Sequence, residues 1–304
     1  MTTINDIEFV IPCGGKSTRN YPHSKGIAHK ALLPFGDTRL IDFVLKDIIH
    51  IGGRHITLVC SSQAVIDVFK DALAPDPKME EKLRNAGRIG IADALHSTFL
   101  PPDVDLKYTI QDKPIGTAHV LGLAHRLSPN RHALMSFPDD IMVSHNADNS
   151  HFKRMIDTFI LNPKQILLTG IEKEDVSNNS IIHNGRLIEK PKIFYNHIAG
   201  FSPYIFPKEM LDFVTHQVDI YEQTGKLPEN LPMTEWVYTD AINQFLDAHP
   251  NEGWDLKMFM KAPEDLLFDT GNLPMYEEAQ LYALLRLSQF KDKLKNMVWD
   301  LINE

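Results

Sequence analysis

The loop Cys13-Gly-Gly-Lys-Ser-Thr-Arg19 follows the apolar run IEFVIP and carries the residue types of a phosphate cradle. Gly14 and Gly15 have no Cβ, so backbone N–H groups there can come close to an anion, and Lys16, Ser17, Thr18 and Arg19 add donors. Lys25 and Lys30 bring further positive charge in HSKGIAHKALLP. The tetrapeptide GKST is the tail of a P-loop, but counting back along GxxxxGK[ST] from Gly15 lands on Val10 inside the apolar run. The loop that would wrap a nucleotide in a P-loop ATPase is therefore missing. Gln111 closes a second apolar run, with Gly116 just beyond it at a helix start. The paired donor and acceptor of a Gln amide match the adjacent C=O and N–H on a base edge such as that of uracil. Two acidic motifs, Pro138-Asp139-Asp140 and Phe268-Asp269-Thr-Gly271, end apolar runs far apart in the chain. Such pairs often serve as turns or caps, but two carboxylates at strand ends could also share a magnesium ion completed by substrate phosphates.

These motifs must be positioned by the elements between them. Apolar runs of strand length at Ile7–Cys13, His55–Ser61, Leu106–Gln111 and Ala133–Pro138 alternate with helical periodicity at Leu40–Ile51, Gln63–Leu73 and Thr117–Leu127. That alternation predicts a doubly wound, mostly parallel α/β sheet in which ligands bind outside the carboxyl ends of the strands. The glycine loop and the first acidic motif both fall on that rim. The second half reads as a smaller α+β part, with strands in ILLTGIE, NNSIIHNGRLIEKPK and AGFSPYIFP and a hairpin turn at Asn184-Gly185. Helices near Lys208–Val218 and Thr234–Ala248, a strand DLKMFMK and a long terminal helix from about Met275 complete it. The expected division is residues 1–150 for a nucleotide-binding half and 151–304 for a sugar-phosphate half continuous with the same sheet.

A chain of 304 residues that is 43% hydrophobic can bury one large core or two smaller ones. A formal charge of −9 and a pI near 5.9 exclude a general nucleic-acid or anionic-membrane binder. Only Cys13 and Cys60 are present, no signal-peptide pattern opens the chain, and no run approaches a membrane span, so a cytoplasmic protein is expected. Fourteen histidines show neither an HExxH motif nor Cys/His zinc spacing. Cys13 fits a small residue ending a buried strand better than a nucleophile.

The motifs GGKSTR, HKALLP, QDKPIGTAHV, FPDD, IEKPK, YTDAI and FDTGN occur in one order over about residues 7 to 285. In this the chain resembles the sugar-1-phosphate nucleotidylyltransferases, most closely the bacterial UTP–glucose-1-phosphate uridylyltransferases. The resemblance implies a Rossmann-like fold of the nucleotide-diphospho-sugar transferase type, UTP and a sugar 1-phosphate as substrates, magnesium as cofactor, and a homo-oligomer. It gives Arg19 to the triphosphate, with Gly14 and Gly15 in the nucleotide loop, and Lys30 as the catalytic cation. Gln111 and Gly116 correspond to the uracil contacts, and Asp139, rather than its neighbour Asp140, and Asp269 to the magnesium carboxylates. Glu189 corresponds to the sugar-hydroxyl contact, Lys190 to the sugar phosphate, and Gly170 and Gly200 to glycines lining the sugar pocket. Ser17 stands where the family usually has glycine, and His29 where it usually has proline or serine. The interval from Arg19 to Lys30 is about one residue longer than usual, which makes Lys25 the substitute cation.

The implied reaction joins UTP and glucose 1-phosphate to give UDP-glucose and pyrophosphate. A phosphate monoester with a second pKa of about 6 is already largely dianionic at neutral pH, so neither a protein nucleophile nor a strong base is needed. Two other readings are open: a dTTP-dependent thymidylyltransferase, because thymine presents the same edge to Gln111, and a non-catalytic nucleotide-sugar-binding homologue.

Overall fold

The computed structural model describes residues 2–228, 231 and 235–303. Its strands are β1 (Ile7–Cys13), β2 (Pro34–Phe35), β3 (Thr38–Arg39), β4 (His55–Cys60), β5 (Asp105–Ile110), β6 (His132–Met135), β7 (Asp140–Val143), β8 (Gln165–Glu172), β9 (Ser180–His183), β10 (Arg186–Glu189), β11 (Ile198–Phe206), β12 (Asp255–Met260) and β13 (Leu266–Asp269). The α-helices are α1 (Leu40–His50), α2 (Gln63–Leu73), α3 (Pro77–Asn85), α4 (Ile89–His96), α5 (Thr117–Leu127), α6 (His151–Leu161), α7 (Lys208–Thr224), α8 (Tyr238–Ala248), α9 (Leu273–Tyr282) and α10 (Lys291–Asn303). Thr234, where a helix was expected to begin, lies outside the described residues.

Among the described residues nine strands form one sheet in the order β10-β9-β11-β6-β1-β4-β5, with β8 on β11 and β12 on β8. The first half is parallel, as β6, β1, β4 and β5 run together, and β11 joins it antiparallel through Tyr204–Phe206 against Ala133–Met135. This is the mixed, largely parallel α/β sheet expected of a nucleotide-diphospho-sugar transferase. Its centre shows why the sequence takes this form. Ile7, Phe9, Ile11 and Cys13 alternate along β1 onto one core cluster with α1 and α2, while Val10 faces another with α5 and α7. Helix α1 turns Leu40, Ile41, Val44, Leu45 and Ile48 onto the sheet and leaves Lys46 in solvent. No described helix is long and apolar enough to cross a membrane.

The hairpin turn at Asn184-Gly185 has φ of 50° and 71°, the doubly positive backbone a two-residue turn demands. The long terminal helix is interrupted. After α9 a π-turn spans Ala283–Leu287, and Asp37 accepts hydrogen bonds from Ser288 Oγ at 2.7 Å and Gln289 N–H at 2.8 Å, diverting the chain before α10.

Asp47 on α1 is pushed up to about 6 by burial, against the pull of Ser150 and His50 and with a small push from Asp265. Its folded pKa lies above the unfolded 3.8, so its contribution to stability is full below that value and is lost as pH rises through about 6. Asp47→Asn should therefore stabilise the protein at pH 7.5 by about 1–2 kcal/mol, a gain that shrinks towards nothing near pH 4. Melting curves across that range test it. An unchanged midpoint at pH 7.5 would mean the carboxylate is solvated.

Candidate active site

At the carboxyl ends of the central strands lies a cavity of about 510 Å³, lined by Gly14, Gly15, Arg19, Lys30, Gln111, Gly116, Asp139, Asp269, Glu189, Lys190 and Gly200. Lys25 is exposed and does not line it.

The basic loop is held by its own side chains. Ser17 sits in the left-handed region at φ 55°, a backbone that glycine adopts without strain and other residues seldom do. Its hydroxyl accepts the Lys30 backbone N–H at 2.9 Å and its carbonyl accepts Ser24 Oγ at 2.7 Å, so Ser17 ties the loop to the segment that presents Lys30. Lys30 Nζ in turn forms an ion pair with Asp139.

The two acidic motifs meet because β7 and β13 pair antiparallel, with Asp269 opposite Asp140. Thr270 stitches the corner: its N–H and Oγ donate to Asp139 O at 2.7 and 2.9 Å, while its carbonyl accepts from the buried Asn20 Nδ2 at 2.8 Å. Gly271 packs into the same corner. A Cβ there would lie 2.8 Å from Asp139 Oδ2, 2.8 Å from Asp269 Oδ1 and 3.2 Å from Arg19. Asp140 turns aside to accept from Ser202 Oγ at 2.8 Å and Ser202 N–H at 3.3 Å. Burial, then the charges of Asp139 and Asp269, push its carboxyl up to about 7. After burial, the two neighbouring carboxylates thus act against ionisation of Asp140.

The amide of Gln111, itself buried, donates from Nε2 to Gly116 O at 2.9 Å, and its Oε1 faces Gly14. Gly116 precedes α5 with φ 122°, and a Cβ on it would fall 2.1 Å from Trp236 O, so only glycine fits. Ala118 N–H donates to that carbonyl, Trp236 N–H to Ile115 O, and Tyr238 N–H to Thr117 Oγ1, fastening the start of α8 to the start of α5.

The β9–β10 hairpin delivers Glu189 and Lys190. Lys190 has φ 47° and its N–H donates to Asn179 O at 2.9 Å, fixing a backbone that non-glycine residues seldom adopt. Glu189 Oε2 is buried without a hydrogen-bond partner, and burial raises its pKa, with Lys190 opposing and Asp240 reinforcing. A buried, unpaired carboxylate oxygen in a cavity wall calls for a donor from a ligand. Gly200 stands opposite Ser180, whose Oγ would meet an added Cβ at 2.5 Å. Gly170 is Gly200's partner on β8 but does not reach the cavity, because its missing side chain makes room for Met258 and Met260 of β12.

Several lining residues carried no signal of their own in the sequence. Tyr204 and Tyr238 share a hydrogen bond of 3.1 Å beneath the Glu189 side, and Asn179 and Ser180 reach the cavity only through the hairpin's register. Gly271 was legible only as the end of a turn motif. Cys13 and Cys60 are free and buried, and burial pushes both thiols up, away from nucleophilic use.

No curated protein matches the chain by sequence. Among solved structures it is similar to a UDP-glucose pyrophosphorylase from Acinetobacter baumannii, with a TM-score of 0.76, 19% identity and coverage of 97% of this chain and 99% of that one. A UTP-bound UGPase from the same organism aligns with a TM-score of 0.75 and 20% identity over 97% and 99% of the two chains. A UDP-glucose pyrophosphorylase complexed with UDP-glucose aligns with a TM-score of 0.67 and 19% identity over 90% and 97%. At such identities these likenesses establish the fold. The family model for nucleotidyl transferase matches residues 9–279, which take in every residue lining the cavity, and the chain belongs to that family.

Proposed function

We propose that the protein transfers a uridylyl group from UTP to glucose 1-phosphate, giving UDP-glucose and pyrophosphate. The observation that carries this reading is the company kept in one cavity: an amide suited to a uracil edge, cations and carboxylates suited to a triphosphate, and a buried unpaired Glu189 oxygen suited to a sugar hydroxyl. The structural neighbours bound to UTP and to UDP-glucose support the same substrates.

In the reaction an oxygen of the sugar phosphate attacks the α-phosphorus of UTP, a new P–O bond forms, and the bond to the β-phosphate breaks to release pyrophosphate. The sugar phosphate is already dianionic, so positioning and charge stabilisation suffice. Arg19 would hold the triphosphate on the Gly14–Gly15 loop, Lys30 would offset charge on the α-phosphate, and Lys190 would hold the phosphate of the sugar. Asp139 and Asp269 fit magnesium by chemistry: they are carboxylates whose oxygens each lie 2.8 Å from one point beside Gly271. Among the described residues no three acidic, His or Cys side chains are grouped to enclose a metal, so substrate oxygens would complete its shell. When bound, magnesium would supply positive charge to the phosphates. Residues 1–150 would serve the nucleotide and 151–304 the sugar phosphate, in a cytoplasmic homo-oligomer.

The assignment of cations to different phosphates is testable by kinetics. Lys190→Ala should raise the KM for glucose 1-phosphate far more than that for UTP, and Arg19→Ala should do the reverse. Equal effects of both changes on both substrates would refute the division. Gln111→Leu should weaken UTP use by about tenfold or more while sparing sugar-phosphate affinity, since one unsatisfied buried partner costs about 1–3 kcal/mol. Unchanged UTP use in that variant would remove Gln111 from the base site.

A further inference from the structure

His29 stands immediately before Lys30, and its two ring nitrogens face different surroundings. It is the N-cap of the single turn Lys30–Leu32: its Nδ1 accepts the Ala31 N–H at 3.1 Å. A ring nitrogen that accepts carries no proton, so in the neutral imidazole the proton sits on Nε2. The ring is 2% exposed, leans on the buried ring of Phe69 at 6.1 Å between centroids, and forms part of the cavity wall. Its Nε2 lies 3.9 Å from the point where a Cβ on Gly15 would sit, and among the described residues the ring's side-chain hydrogen bond is the one at Nδ1. Capping alone needs only one acceptor on a short side chain, which serine supplies. The imidazole adds a second polar atom, a donor, beside the open face of the glycine pair.

We propose that His29 is a further triphosphate-binding residue of this chain, donating a neutral Nε2–H hydrogen bond to a phosphate oxygen seated on the Gly14–Gly15 loop. This rests on the reading that the loop holds the triphosphate. Burial, then the neighbouring Lys30 charge, hold the ring's pKa down to about 4, so it enters the contact uncharged at neutral pH. The contact is therefore a fixed hydrogen bond added to the charges of Arg19 and Lys30.

Asparagine and glutamine separate the two tasks. The Asn carbonyl oxygen falls near the position of Nδ1 and keeps the cap, whereas the Gln amide nitrogen falls near Nε2 and keeps the donor. Binding of inorganic tripolyphosphate and of UTP is measured by calorimetry for the wild type, His29→Asn and His29→Gln. Tripolyphosphate has no base, so it probes the loop independently of uracil reading. His29→Asn should weaken both ligands about tenfold, and His29→Gln should stay within about threefold of wild type. No weakening in His29→Asn would overturn the inference alone, reducing His29 to a cap if His29→Gln is weakened. Equal weakening in both variants would overturn it too, since the donor kept in His29→Gln would then count for nothing. Wild-type protein that binds neither ligand overturns the reading of the loop and the inference with it. Should the variants fail to fold, the His29 Nε2–H resonance of the wild type decides: it should be present and move downfield with tripolyphosphate, and a resonance that stays put overturns the proposal.

Discussion

Asp269→Asn should lower kcat by about two to three orders of magnitude while the protein stays folded, and Asp139→Asn should do likewise. Both carboxylates lie within 2.8 Å of a single point beside Gly271, and both add to the charge that raises Asp140. An amide has nearly the shape of a carboxylate but no charge for a hard cation, so the loss falls on phosphate stabilisation and spares packing. The same neutralisation predicts a linked effect. With Asp269 uncharged, one cause of the raised Asp140 carboxyl is gone, so the corner should titrate lower and the variant should be slightly more stable than wild type above pH 7. Turnover near the wild-type value in a folded variant would take that residue out of the site, and a drop in turnover accompanied by unfolding would show a structural role instead.

Gly271→Ala should cost about a hundredfold in turnover with little change in melting temperature. This glycine has no positive φ, so its backbone accepts alanine, and the only objection to a methyl group is what it would touch. It would touch the oxygens of Asp139 and Asp269, both at 2.8 Å, and the Arg19 guanidinium at 3.2 Å. Side-chain ends can withdraw from such a contact, so the fold survives, but the groups that withdraw are those whose spacing positions the phosphates. Gly116→Ala makes a useful contrast, because there the clash is with the Trp236 backbone, which cannot withdraw, and stability should fall. Unimpaired turnover in Gly271→Ala would show that this corner is not where phosphate is held.

The contrast between these glycines marks how far sequence reading reaches. Strands and helices of the first half were legible because a fully buried β1 and an amphipathic α1 leave different apolar periods, and α2 and α5 begin and end where their periodicity does. The turn at Asn184-Gly185 was legible because few residues tolerate its backbone. The sequence reading lacks helices α3, α4 and α6. Helix α3 has no buried residue and α4 buries only Ala92, so neither leaves an apolar stripe, although Asp76-Pro77 is a recognisable helix start. Helix α6, by contrast, buries Phe152, Met155, Ile156 and Phe159, and its stripe was legible. The site divides the same way. Asp139 and Asp269 were visible as acidic residues ending apolar runs, whereas their meeting depends on the pairing of β7 with β13, a non-local contact that no local pattern encodes. Gly170 was expected in the sugar pocket and instead makes room for β12, because a glycine motif marks close approach without saying which neighbour approaches.

The most direct measurement is pyrophosphate release by the purified protein with magnesium, over a panel of UTP, dTTP, ATP and GTP, each paired with glucose 1-phosphate and other sugar 1-phosphates. The expected result is release that requires both substrates, runs fastest with UTP and glucose 1-phosphate, and yields UDP-glucose in equal amount. Preference for ATP or GTP would contradict the role of Gln111 while leaving the transfer chemistry standing, and no release with any pair would contradict the proposed reaction itself.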